Sequence, residues 1–149
     1  TENVVLAVGF AKAVEWYLAN QSSLRDRFSI FRDLILNEIN KIKGIFLNTD
    51  LENSMPHTIN FGCNNVSAES LLISLDLDGI AVSTGSACSS GAMEASPVLL
   101  AMGLSRAEAK SSLRVSWGWS TTEADIDIFC QRLTFHIQRL QRKQITKKI

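Results

Sequence analysis

Charge of one sign is missing from this chain, because fifteen basic residues balance fifteen acidic ones. No overall electrostatic pull toward nucleic acid is therefore expected. The local exception is the tail, where Arg139, Arg142, Lys143, Lys147 and Lys148 gather. A solvated helix end favoured by the helix dipole explains them more simply than a binding patch. Long apolar runs are missing too. None approaches the roughly 18 residues that read as a membrane span. The opening Thr1-Glu2-Asn3 lacks the basic-then-apolar plan of a secretory signal. It also lacks an initiator methionine, as expected of a piece of a longer chain. Cysteine is scarce: Cys63, Cys88 and Cys130 are widely spaced and odd in number. They do not form a disulfide framework. A reducing cytoplasmic compartment is expected, with at least one thiol free to react. His57 and His136 lie far apart, and no Cys/His cluster has zinc spacing, so no metal site is expected.

What remains is an ordinary globular composition: 149 residues, 46% hydrophobic and 20% charged. That length suits one domain with its own core. Residues 4–19 are apolar on most of a helical circumference, which predicts a largely buried helix. Leu24, Phe28, Phe31, Ile35, Ile39 and Ile42 fall on one face of a second helix over residues 23–43, stopped by Gly44. Short strands are expected at residues 45–47, 58–61, 80–82 and 113–117. Ser67 opens a helix carrying Leu71, Leu72 and Leu75. Ser96-Pro97 starts a short helix that Gly103 closes. Ser105 and Glu108 have capping-box spacing, and Thr122 with Asp125 opens a last helix lined by Ile126, Phe129, Leu133, Ile137 and Leu140. Each amphipathic helix needs an apolar sheet face, so the expected fold is an α/β two-layer sandwich: a small sheet with helices on one face.

The chemistry concentrates in one run of small residues, Ser83-Thr84-Gly85-Ser86-Ala87-Cys88-Ser89-Ser90-Gly91. It has no period and cannot build a core, so it reads as a loop. A cysteine there is exposed, unlike the buried cysteines of cores, and exposure favours the reactive thiolate. Composition alone leaves a reactive thiol and an incidental loop cysteine equally open. Cys63 and Cys130, among apolar or helical neighbours, read as structural. His57 reads as a loop or strand-edge residue, and His136 as part of a partly solvated helix face. Trp16, Trp117 and Trp119 read as core and rim packing.

The run resembles the signature loop of the NifS/IscS-type cysteine desulfurases, S-S/T-G-S-A-C-S/T-S/A. Around it, Pro56-His57-Thr58-Ile59-Asn60, Glu69-Ser70-Leu71-Leu72 and the segment from Pro97 to Leu104 resemble further family motifs in order. So do Ser112-Leu113-Arg114-Val115-Ser116 and Thr121-Thr122-Glu123. The resemblance implies the C-terminal small domain, over residues 1–149, of a homodimeric fold-type I enzyme dependent on pyridoxal 5'-phosphate. It implies that Cys88 takes sulfur from L-cysteine as a persulfide, that alanine is released, and that the sulfur passes to an acceptor protein. It implies that Arg114 holds the substrate carboxylate, bidentate as only a guanidinium can be. It implies that Thr1 reaches the cofactor phosphate. Asn60 could lie near the substrate, although a strand asparagine bonded to a neighbouring loop is the simpler account. The family's cofactor lysine, in an S-x-H-K segment, has no counterpart here, and neither do its ring-stacking histidine and its pyridine-binding aspartate. Alone, the chain is expected to bind no pyridoxal phosphate. The alternative is an inactive module for dimerisation or acceptor binding.

Overall fold

The computed structural model describes residues 2–84 and 94–146. Helix α1 (Val4–Ile39) opens on Asn3, whose side chain accepts from the Leu6 amide. Strands β1 (Ile45–Leu47) and β2 (Thr58–Cys63) follow, then α2 (Ala68–Leu77), α3 (Pro97–Ala101), α4 (Arg106–Lys110), β3 (Ser112–Ser116) and α5 (Glu123–Thr146). The strands form an antiparallel sheet in the order β1-β2-β3.

Side-chain alternation sorts the sheet into two faces. Ile59, Phe61, Leu113 and Val115 are buried with Phe31, Ile35 and Ile39 of α1, Leu71 and Leu75 of α2, and Phe129, Leu133 and Ile137 of α5. Thr58, Asn60, Arg114 and Ser116 occupy the opposite face, paired as Thr58 with Ser116 and Asn60 with Arg114. Three helices thus cover one face, which is the expected two-layer arrangement. A smaller cluster of Ala95, Leu99 and Ala109 ties α3 to α4.

The helix starts follow their sequence signals. Ser96 caps α3 ahead of Pro97, and Ser105 and Glu108 form a complete capping box on α4. Thr122 and Asp125 cap α5 reciprocally: the Thr122 amide donates to Asp125 Oδ2 at 2.8 Å, and the Asp125 amide donates to Thr122 Oγ1 at 3.2 Å.

Three expectations are corrected. The two N-terminal helices are one, because the Asn20-Gln21-Ser22 stretch contains no breaker and satisfies its own turn: Asn20 Nδ2 donates to the Trp16 carbonyl and Ser23 Oγ to the Asn20 carbonyl. The first half of that helix is exposed rather than buried, with Val5 at 81% and Phe10 at 73%, and the buried residues of α1 begin only at Leu24. Residues 80–82 do not form a strand. Only Ser83 bridges to β3, while Ile80 and Val82 lean on the core.

Candidate active site

Arg114 sits mid-strand on the face of the sheet that the helices leave open, and it is exposed. No ion pair to its guanidinium occurs among the described residues. Its backbone is held from both sides. On one side it lies opposite Asn60 of β2. On the other, its N–H donates to the Ser83 carbonyl at 2.6 Å and the Ser83 N–H donates to its carbonyl at 3.0 Å. The residue that begins the cysteine-bearing run is therefore fastened to the arginine. Cys88 and Thr1 lie outside the described residues.

The neighbouring polar groups are fixed by hydrogen bonds. Asn48, just after β1, donates through Nδ2 to Asn60 Oδ1 at 2.7 Å and to Ser112 Oγ at 2.9 Å. Asn60 is thus a strand asparagine bonded to a neighbouring loop, and its amide also donates to Thr49 Oγ1 at 2.6 Å. Beyond β3 the chain turns at Trp117 and Trp119. Arg27 of α1 donates to the Trp119 carbonyl, and Trp16 meets Trp119 edge-to-face at 5.8 Å. Trp117 is buried in the core. These rings, with Tyr17, Phe28 and His57, line a cavity of about 420 Å³. A second cleft of about 480 Å³ lies between residues 78–82 and the end of β3.

Cys63 and Cys130 behave as packing residues. Burial pushes the Cys63 thiol up, and burial together with the nearby Glu38 and Asp127 carboxylates pushes the Cys130 thiol up to about 11. His57 stands at the edge of β2, where its carbonyl accepts from the Trp117 amide. His136 is not on a solvated face. It is buried, and Nε2 lies 2.6 Å from Asp78 Oδ2. Its position three residues after Leu133 and four before Leu140 carried that signal in the helical period.

Lys12 pairs with Glu15 on α1, and Lys41, just past the end of α1, pairs with Glu38. The described residues contain no group of three or more His, Cys, Asp or Glu that could hold a metal, and no helix long and apolar enough to cross a membrane.

Residues 1–129 match the model of aminotransferase class-V proteins. The chain belongs to the aminotransferase class-V family. Within that family it is similar to proteins named cysteine desulfurase IscS. It is 37% identical to the one from Dictyoglomus turgidum over 95% of this chain and 36% of that protein. It is 39% identical to the one from Pectobacterium atrosepticum over 90% of this chain and 33% of that protein. Among solved structures, the NifS-like protein of Rickettsia africae superimposes with a TM-score of 0.81, at 28% identity, over 93% of this chain and 36% of that one. DndA from Streptomyces lividans superimposes with a TM-score of 0.58, at 34% identity, over 78% of this chain and 32% of that one. The chain thus spans about a third of the length of the relatives it matches. The NifS/IscS resemblance and the α/β fold stand on these matches.

Proposed function

We propose that this chain is the C-terminal small domain of a cysteine desulfurase, working with a large domain that carries pyridoxal phosphate. The observation that carries this reading is the bridge between Ser83 and Arg114, which joins the arginine to the start of the cysteine run by two backbone hydrogen bonds. Similarity to relatives named cysteine desulfurase supports it.

In this reading Arg114 grips the α-carboxylate of L-cysteine. A planar fork suits a carboxylate, and the guanidinium has no described ion-pair partner that a substrate would have to displace. Cys88, as thiolate, forms a bond to the substrate sulfur as that sulfur leaves its β-carbon. The carbon takes a proton and departs as alanine, and the sulfur remains as a Cys88 persulfide. An acceptor protein then takes it. Thr1 would donate its hydroxyl to the phosphate of that cofactor across a homodimer. The lysine chemistry of the cofactor belongs to the large domain.

The test is to express the full reading frame that contains this chain and incubate the protein with L-cysteine. Alanine release that needs Cys88 supports the proposal. An open reading frame with no cofactor-lysine segment, and no alanine, leaves the alternative: a module for dimerisation or acceptor binding.

A further inference from the structure

His136 is a buried, hydrogen-bonded titratable group that the reading above does not use. It sits on α5 and is 5% exposed. Its Nε2 lies 2.6 Å from Oδ2 of Asp78. The same hydrogen bond is the largest influence holding the Asp78 carboxyl below its ordinary range. An ionised carboxylate only accepts, so Nε2 carries a proton and donates it in either charge state of the ring. Among the described residues, no group hydrogen-bonds to His136 Nδ1. Asp78 is therefore its one hydrogen-bond partner among the described residues. Arg132 Nε approaches the same carboxylate oxygen only to 3.8 Å, a distant second contact.

Asp78 is the C-cap of α2. Past it the chain reverses at Gly79, which has φ +79°. The Gly79 amide donates to the Asp76 carbonyl at 2.9 Å and the Ile80 amide to the Leu75 carbonyl at 2.9 Å, a Schellman closure. Three residues later Ser83 makes its two hydrogen bonds to Arg114. A single turn thus separates the histidine's acceptor from the stem that borders β3.

We infer that His136 is a positioning residue: through Asp78 it fixes the turn that delivers residues 80–83 to the outer edge of β3, and so steadies the backbone of Arg114 from its second side. The inference deepens the proposed function and rests on Arg114 being the carboxylate-binding residue. Ile80 and Val82 also hold the stem, by leaning on the core. The polar clamp adds direction, because it pins the cap from which the stem departs.

The experiment compares the full-length wild type with His136→Phe, His136→Gln and Asp78→Ala. Phenylalanine keeps the buried ring and removes the donor. Glutamine restores a donor near the place of Nε2. Asp78→Ala alters an exposed turn and spares the α5 core. Amide exchange is read at Ile80, Ser83 and Arg114 against Phe61 and Leu113 in the β2–β3 ladder. Losing a hydrogen bond to a charged group predicts roughly tenfold faster exchange at the stem amides in His136→Phe and Asp78→Ala. The ladder amides stay unchanged, and His136→Gln recovers most of the protection. In turnover the same two variants raise KM for L-cysteine several-fold with kcat within about twofold, and His136→Gln reverts. Unchanged stem exchange, or uniform loss across the ladder with no rescue by glutamine, overturns the clamp. A wild type that does not turn over L-cysteine defeats the desulfurase reading instead, while the exchange pattern still decides the clamp.

Discussion

A thiol attacks sulfur as its thiolate, so the three cysteines are separated by their surroundings. Burial raises Cys63, and burial with two carboxylate neighbours raises Cys130 to about 11. At neutral pH both stay protonated. With iodoacetamide at pH 7, Cys88 is expected to alkylate at least about tenfold faster than either, and Cys130 to gain reactivity only as pH climbs toward 11. Mass mapping of labelled peptides against time checks both. Arg114→Lys keeps the charge and loses the fork. It is expected to raise KM for L-cysteine about tenfold, with kcat little changed, as steady-state kinetics of the full-length protein would read. At this scale the sequence motif singled out Arg114 and Cys88, because residue type and neighbours carry that information. It did not show that Asp78 receives His136, since that pair joins α2 to α5 across 58 positions.

The elements were legible where a local signal marks them. Caps at Ser96, Ser105 and Thr122, and the apolar stripe of α5, act within a few residues of where they are written. The break expected near Asn20 was misread because polar residues can also sit inside a helix when their side chains turn back to its carbonyls. The strand expected at residues 80–82 failed for another reason: a short apolar run after a turn does not tell whether an edge partner lies within hydrogen-bonding reach along its whole length. A close approach inside the sheet gives a prediction at this scale. A Cβ on Gly62 would lie 2.1 Å from Phe46 Cζ across the β1–β2 pair. Gly62→Ala is expected to cost about 1–3 kcal/mol in denaturant unfolding, and Phe46→Leu in the same chain to recover part of it.

At the scale of the whole molecule, the first half of α1 stands out. Val4, Val5, Leu6, Val8 and Phe10 are all more than half exposed. Apolar exposure of that extent, spread around the helix, is more than a lone domain usually tolerates. Produced alone, this chain is expected to self-associate and to bind an apolar dye, and Leu6→Gln with Phe10→Gln to reduce both, as light scattering and dye fluorescence would show. The fold class followed from composition and period, since amphipathic helices need a sheet face to cover. The exposure of α1 did not follow, because an apolar pattern states that a surface seeks cover and not which polypeptide provides it.

The measurement that bears most directly on the central claim is intact-protein and peptide mass spectrometry of the full-length protein after one addition of L-cysteine without a sulfur acceptor. The account predicts a gain of one sulfur atom on the peptide carrying Cys88, removed by a reducing thiol, matched by alanine release and absent in Cys88→Ser. Sulfur found on Cys63 or Cys130, or alanine released undiminished by Cys88→Ser, would contradict it.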